Sequence, residues 1–145
     1  MTDGGVYYSD DGEELKKFNI QDGYGLVALQ RSGVSVGILT GRVSRLVQRR
    51  ADELGIKEVH QNLDRKIDTY IALKAKLGLT DREIAYIGDD IPDMEVLEAA
   101  GFSAAPSNAV EPVKKRVDYV CRRSGGEGAI REVVDLILTS QRRGR

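Results

Sequence analysis

The sequence is poor in cysteine. Its 145 residues contain a single cysteine, Cys121, so no internal disulfide bond can form. The chain also contains a single histidine, and one Cys with one His cannot supply the ligands of a structural zinc site. These absences fit a reducing compartment, and the sequence therefore predicts a cytoplasmic protein.

The sequence also lacks an excess of charge and any long apolar run. With 22 Lys and Arg against 23 Asp and Glu, the formal net charge is -1, which argues against a nucleic-acid partner. No apolar run approaches the roughly 20 residues that a membrane-spanning helix needs. The first residues, Met-Thr-Asp-Gly-Gly, do not resemble an export signal. We therefore expect no nucleic acid and no membrane among the partners.

What the chain does contain is typical of one folded domain, which we expect to span residues 1–145. The hydrophobic share is 41%, the charged share is 31% and there are 3 prolines, so the chain is not predominantly disordered. Short β-branched segments alternate with segments of helical periodicity. This alternation predicts an α/β fold with a parallel sheet covered by helices on both faces.

The predicted elements begin with a β-hairpin at about residues 5–19, where an Asp-Gly pair separates two extended runs. Asp22 is placed to cap the next helix, and Gly33 would end it. Residues 140–145 are expected to form a frayed basic tail, or a tail that docks on an anion or a neighbouring subunit. The strands predicted after the hairpin are 34–39, 58–60, 84–87, 102–105 and 119–120, and the later helices are 44–54, 66–77, 92–100 and 128–139.

Polar residues follow two of the predicted strands, at the sheet edge where parallel α/β folds bind ligands. Thr40-Gly41-Arg42 comes after the first strand and offers a hydroxyl, a glycine amide and a guanidinium, which are suitable donors to a phosphate. Asp89, Asp90 and Asp93 come after the strand 84–87 and form an oxygen-only acidic cluster suited to Mg²⁺. Together the two groups predict a phosphate and metal site.

Most of these residues also have an ordinary structural interpretation. Asp90 or Asp93 could cap the helix that begins near Pro92, and Asp89 could do so less readily because it lies directly at the strand tip. Thr40 could precede a helix, and Arg42 could be a surface charge.

Three further side chains have a functional and a structural interpretation. Lys66 is unfavourably placed for the helix dipole at the start of its helix, a conflict that a nearby anionic site would remove. It could equally be a solvated charge. His60 could face the site or be structural, and Cys121 has no histidine partner that would make it a nucleophile.

The order of these motifs resembles the haloacid dehalogenase superfamily of phosphohydrolases. The resemblance is carried by Thr40-Gly41-Arg42, Lys66 and Gly88-Asp89-Asp90-Ile91-Pro92-Asp93. Four further segments resemble one family within that superfamily, the 3-deoxy-D-manno-octulosonate 8-phosphate phosphatases. These segments are residues 2–8, 14–19, 22–25 and 125–132. The likeness covers nearly the whole chain.

The resemblance implies a Rossmann-like three-layer fold with an N-terminal hairpin insertion, no cap domain and a homotetrameric assembly. It implies an Mg²⁺-dependent phosphatase that releases phosphate from an eight-carbon keto-sugar acid in lipopolysaccharide precursor synthesis. Asp89 would bind Mg²⁺, supported by Asp90 and Asp93. The resemblance implies that Thr40 and the Gly41 amide would hold the phosphoryl oxygens and that Arg42 would face the sugar acid. Lys66 would neutralise the negative charge on the nucleophile and the phosphate. Thr40 and Lys66 would be the catalytic residues.

One motif of the family has no counterpart in this sequence. In the family, a strand ending in Asp-x-Asp-Gly supplies the nucleophile and the general acid, and the Thr-Asp-Gly of residues 2–4 follows it within a few residues. Asp3 matches the later segment and does not replace the nucleophile. We therefore expect that Met1 is an internal methionine, that the natural chain begins roughly 10–20 residues upstream, and that residues 1–145 alone are inactive.

Three alternative functions remain at this point. A non-catalytic oligomerisation or ligand-binding module of the same fold would explain a missing nucleophile. A phosphatase for a nine-carbon keto-sugar acid phosphate shares the framework; Arg42 favours the eight-carbon substrate, whereas Glu127 favours the nine-carbon one. A receiver-type signalling domain also has acidic strand ends, but the opening hairpin and the late acidic pair argue against it.

Overall fold

The structure is a computed structural model that describes residues 1–143. Its strands are β1 (Tyr7–Tyr8), β2 (Glu14–Leu15), β3 (Gly37–Leu39), β4 (Glu58–His60), β5 (Ala85–Ile87), β6 (Phe102–Ala105) and β7 (Tyr119–Val120). Its α-helices are α1 (Ile20–Arg31), α2 (Arg45–Glu53), α3 (Lys66–Leu77), α4 (Met94–Ala99), α5 (Glu111–Lys114) and α6 (Ala129–Arg143). Strands and helices alternate after an antiparallel β1–β2 hairpin, as predicted.

Helices cover both faces of the sheet around β6, because successive side chains of a strand point to opposite sides. Ala105 packs with Leu97 of α4 and Val113 of α5. Ala104, one residue earlier, packs on the other face with Cys121 and with Val133 of α6. The predicted three-layer α/β architecture is confirmed, and residues 1–143 contain no separate cap domain.

The predicted single parallel sheet is present as two separate sheets. Strands β3 and β4 pair in parallel with Ile38 opposite Val59, and β5, β6 and β7 form the second parallel sheet. Within residues 1–143 no ladder joins β3 to β5. The separation lies between the strands that end at Leu39 and Ile87.

The prediction that Asp22 caps its own helix is wrong, because Asn19 occupies that position. The Asn19 side chain accepts hydrogen bonds from the amides of Gln21 and Asp22. Asp22 is instead buried between α1 and α6, where its Oδ1 accepts the Arg131 amide at 2.9 Å. The residue before α6 is Gly128, which has no side chain that could cap the helix. Asp22 therefore supplies from α1 an acceptor for the first turn of α6.

Other boundaries differ from the predictions for local reasons. The predicted helix 92–100 is a short 3₁₀ helix over Ile91–Asp93 that continues into α4, because Pro92 fits a first turn but cannot donate an amide hydrogen bond. Helix α5, only four residues long, was not predicted. Helix α6 runs to Arg143, so the predicted tail is helical up to that residue, and 144–145 lie outside the described residues. No helix in residues 1–143 has the length and apolar character required to cross a bilayer.

The first prediction concerns the contact between Asp22 and α6. We expect Asp22→Ala to lower the free energy of unfolding by about 1–2 kcal/mol, because the Arg131 amide loses its acceptor. Asp22→Asn keeps an oxygen acceptor and should cost less. Urea denaturation measures both, with Asp10→Ala in the exposed hairpin turn as the control. Equal losses in Asp22→Ala and Asp10→Ala would contradict the capping role.

Candidate active site

The first part of the site is the loop that follows β3. The Thr40 amide donates to the His60 carbonyl at 3.0 Å, and the Thr40 carbonyl accepts from the Leu63 amide at 3.2 Å. The Thr40 hydroxyl accepts the Arg42 amide at 3.2 Å, which folds the loop into a tight turn. A Cβ atom at Gly41 would lie 3.2 Å from the Leu63 carbonyl oxygen, so glycine allows this close approach. The loop is thus held against the segment that leads to Lys66.

The Arg42 side chain leaves this loop and contacts the hairpin. Its Nη2 donates to Glu14 Oε1 at 3.0 Å, while the Ser44 hydroxyl donates to Glu14 Oε2 at 3.1 Å. Ser44 is the N-cap residue of α2, and it is buried. The Glu14 carboxylate of β2 therefore connects the loop after β3 to the start of α2.

The second part of the site is a buried ion pair between Lys66 and Asp93. Lys66 begins α3, and its Nζ lies 2.6 Å from Asp93 Oδ1. The Tyr86 hydroxyl donates to the same oxygen at 2.6 Å. The Asp93 side chain is 4% exposed and the Lys66 side chain 15% exposed. The Asp93 carboxylate therefore supplies the negative charge that the position of Lys66 at a helix start requires.

The other oxygen of Asp93 organises the loop after β5. Asp93 Oδ2 accepts the amides of Asp89 at 3.2 Å and Asp90 at 3.4 Å. Asp90 in turn accepts the Ile91 amide at 2.7 Å, and its side chain and that of Asp93 each accept the backbone amide of the other, which is a reciprocal capping box. A Cβ atom at Gly88 would lie 2.4 Å from the Cβ of Asp93, so only glycine lets this carboxylate fold back on the strand tip. The capping interpretation is thus correct for Asp90, whereas Asp93 is the third residue of the 3₁₀ turn and makes no side-chain cap bond to α4.

Asp89 is the half-buried carboxylate of this loop, and Lys66 compensates its charge only in part. Burial raises its pKa above the ordinary value, and the negative charges of Asp93 and Asp90 raise it further, whereas Lys66 opposes the shift. In the described part of the chain, no side chain donates a hydrogen bond to the Asp89 carboxylate. A cation bound there would remove the cost of this buried charge.

The three predicted metal residues do not converge as a ready-made ligand set. Among residues 1–143, no group of three His, Cys, Asp or Glu side chains is placed to hold one metal ion. Asp93 is occupied by Lys66 and Tyr86, and Asp90 by the Ile91 amide. Of the three carboxylates, Asp89 is therefore the one that could bind a metal ion directly. A single carboxylate suits Mg²⁺, because Mg²⁺ is commonly bound by one or two carboxylates, with waters and phosphate as its other ligands.

Two further residues of the sequence analysis have structural roles. His60 contacts Glu58 at 3.0 Å and lines an open groove with Leu73 and Lys76 of α3, and neither Lys66 nor Asp93 lines that groove. Cys121 is buried, and burial raises the pKa of its thiol to about 11. A thiol with so high a pKa is a poor nucleophile at neutral pH.

Sequence reasoning missed the residues that position the predicted ones. Tyr86 lies inside the predicted strand 84–87, and its hydroxyl donates a hydrogen bond to Asp93 at 2.6 Å. Glu14 lies in the hairpin, far from Arg42 in the chain. The signal for Tyr86 was its place two residues before Gly88 at a strand end, whereas no local pattern identifies Glu14.

Comparison with known proteins agrees with this geometry. Residues 25–101 match the family model described as haloacid dehalogenase-like hydrolase, which is more than half of the chain. The chain is therefore a haloacid dehalogenase-like phosphoric monoester hydrolase.

Individual relatives narrow the family. The chain is 42% identical over 141 residues to the 3-deoxy-D-manno-octulosonate 8-phosphate phosphatase KdsC of Escherichia coli K12, and the match covers 97% of this chain and 75% of that protein. It is 44% identical, with a TM-score of 0.93, to the Moraxella catarrhalis phosphatase solved with a magnesium ion, a phosphate ion and KDO, covering 95% of this chain and 79% of that one. A cobalt-bound phosphatase from Haemophilus influenzae is 38% identical with a TM-score of 0.92, covering 97% of this chain and 82% of that one. The chain belongs to the 3-deoxy-D-manno-octulosonate 8-phosphate phosphatase family.

The second prediction concerns the charge of Asp89 in the absence of divalent cations. A raised pKa means that the folded state holds the proton more tightly than the unfolded state, so stability falls as pH rises through the folded pKa. At pH 8 we therefore expect Asp89→Asn to be more stable than the wild type by about 1 kcal/mol, which raises Tm by about 2–4 °C.

Calorimetry in the presence of a chelator tests this prediction, with Asp11→Asn in the hairpin turn as the control. The stabilisation should shrink as pH is lowered toward the ordinary pKa of an aspartate. A destabilisation by Asp89→Asn at both high and low pH would show that the carboxylate is not strained by burial.

Proposed function

We propose that the protein is an Mg²⁺-dependent phosphatase that converts 3-deoxy-D-manno-octulosonate 8-phosphate to the free sugar acid and phosphate, in lipopolysaccharide precursor synthesis. The observation that carries this proposal is the cluster of Lys66, Asp93 and Asp89 beside the strand ends. It occurs in a chain 44% identical to a phosphatase whose structure holds magnesium, phosphate and KDO.

The proposed roles follow from the donors that each element presents. The Thr40 hydroxyl and the Gly41 amide lie in a tight turn held against the segment before α3, and they would bind the phosphoryl oxygens. Lys66, held by Asp93, would place its ammonium charge beside the transferring group. Because these donors are already fixed by hydrogen bonds, they need little rearrangement to stabilise charge at phosphorus.

The residues present fit a magnesium ion at Asp89. Its half-buried carboxylate has no side-chain hydrogen-bond donor in residues 1–143, and a pKa raised by burial supports the assignment, because both features favour a bound cation. Asp89 would be a direct ligand, with Asp90 and Asp93 shaping the loop that carries it. When bound, the ion supplies positive charge to the phosphate and to the departing oxygen.

A polypeptide of residues 1–145 alone is proposed to release no phosphate. The family places its nucleophile and general acid on a strand that has no counterpart in these residues. Asp3 does not take their place, because its Oδ2 accepts the Tyr7 hydroxyl at 2.6 Å and its Oδ1 accepts the Gly5 amide at 2.9 Å. The intact mass of the protein expressed from its native locus shows directly whether further residues precede Met1.

The third prediction is the loss of phosphatase activity when the cluster is broken. In the protein purified from its native locus, with Mg²⁺ present, we expect Lys66→Met and Asp89→Asn to lower phosphate release from the eight-carbon sugar acid phosphate by about 100-fold or more. The controls are Lys57→Met and Asp11→Asn, which lie outside the cluster. A phosphate-release assay over a range of substrate concentrations measures kcat and KM.

The same assay separates the candidate functions. If the protein prefers the nine-carbon sugar acid phosphate, that compound is its substrate and the proposal of the eight-carbon substrate, which Arg42 and the relatives support, is wrong. Absence of phosphate release from either substrate by the native protein, with Mg²⁺ present, would overturn the phosphatase proposal. It would favour a non-catalytic module of the same fold.

A homotetramer is proposed as the working assembly, with the hairpin at its interface. The hairpin presents exposed apolar side chains on both strands and before them, namely Val6, Tyr7, Tyr8 and Leu15. Ile20 and Tyr24, in the following helix, are 83% and 67% exposed. A cluster of large apolar side chains in contact with water is typical of a surface that another subunit covers.

The fourth prediction tests that interface. We expect the protein purified from its native locus to sediment as a tetramer, and Leu15→Asp to shift it to smaller species, because a charge would be buried without a partner. Ile71→Asp on α3 is the matched control, since Ile71 is similarly exposed but lies away from the hairpin. A monomeric wild type, or an equal effect of both substitutions, would contradict the proposed interface.

A cytoplasmic location is also part of the proposal. The support is Cys121, which is a buried free thiol in the structure and so fits a reducing compartment. Fractionation of the native cells, with the protein detected by antibody, tests the location.

A further inference from the structure

Two positively charged side chains meet at one carboxylate of the hairpin: Lys16, from the hairpin itself, and Arg42, from the loop after β3, both contact Glu14. Lys16 Nζ lies 2.8 Å from Glu14 Oε1, and Arg42 Nη2 lies 3.0 Å from the same oxygen. The Lys16 side chain is only 7% exposed, although lysine is normally a solvated surface residue. A lysine buried against an ion pair that is already formed calls for a physical explanation.

Charge balance supplies that explanation. Arg42 and Glu14 alone would form a neutral pair, and a guanidinium neutralised in this way attracts an anion weakly. Lys16 shares the Glu14 charge, so the three groups together carry a surplus of one positive charge. Lys16 also lowers the pKa of Glu14, which keeps the carboxylate ionised and able to hold Arg42.

The arrangement also fixes the direction of Arg42. Glu14 Oε2 accepts the Ser44 hydroxyl, which anchors the carboxylate to the N-cap residue of α2. The Arg42 amide is bound to the Thr40 hydroxyl. The backbone amide of Arg42 is therefore held by Thr40 of the loop after β3, and its guanidinium is held by Glu14 of the hairpin.

We propose that Glu14 and Lys16 are specificity-determining positioning residues, which present Arg42 with a surplus positive charge to the carboxylate of the sugar acid substrate. Glu14 orients the guanidinium, and Lys16 prevents Glu14 from neutralising it. This inference rests on the proposed function, because it assigns the recognition of the acid group of that substrate. Recognition of the phosphate remains with the loop and Lys66.

The test compares a substrate that has a carboxylate with one that lacks it. In the native protein with Mg²⁺, Lys16→Met is expected to raise KM for the eight-carbon sugar acid phosphate about tenfold. Hydrolysis of p-nitrophenyl phosphate, which has no carboxylate, should keep its kcat/KM within twofold. Lys17→Met is the matched control, because the adjacent Lys17 points to Glu127 and not to Glu14.

A second pair of variants separates charge balance from structural damage. Lys16→Met combined with Glu14→Gln leaves Arg42 with its charge and still offers it an oxygen acceptor, so KM should return toward the wild-type value. Lys16→Arg should also retain the low KM. A merely structural role for Lys16 would leave the double variant at least as impaired as the single one.

The outcomes are distinguishable. A wild type that releases phosphate from neither substrate, or only from p-nitrophenyl phosphate, overturns the proposed function and this inference with it. An active wild type in which Lys16→Met raises KM equally for both substrates, or for neither, overturns only the inference. A selective rise that the double variant reverses supports it.

Discussion

The buried carboxylate of Asp93 is the interaction on which the candidate site depends. It accepts the Lys66 ammonium and the Tyr86 hydroxyl on one oxygen, and two amides of the β5 loop on the other. Removing one partner from such a buried pair typically costs about 3–5 kcal/mol, because the remaining charge is left without compensation. The strand tip and the start of α3 are therefore held together by one side chain that does not itself need to contact a ligand.

The three acidic residues after β5 therefore have different roles. Asp93 and Asp90 are used to form the loop, whereas Asp89 is half-buried and its pKa is raised by burial and by the charge of Asp93. Because the two flanking carboxylates already have hydrogen-bond partners, Asp89 is the one to which the proposed metal-ligand role is given.

The opposite side of the site depends on the hairpin. Glu14 of β2 contacts both Arg42 and Ser44, so a segment outside the parallel sheets determines how the β3 loop presents its guanidinium. The exposed apolar side chains of the hairpin lie on the same short insertion. A substitution at the proposed subunit interface would therefore also affect the proposed recognition of the substrate, because both depend on β2.

The sequence by itself determined the class of fold, the residue types at the strand ends and most element boundaries. The bounds of α3, β4 and β6 agree with the predictions, because each is marked by local signals: apolar runs for the strands, and Gly78 with a positive φ after α3. Only the tertiary structure decided how those residues are used. Asp22 caps a helix that begins more than 100 residues later, Asp93 binds Lys66 across 27 positions, and Glu14 binds Arg42 across 28. Such partners meet through packing of distant segments, which leaves no periodicity or spacing in the local sequence.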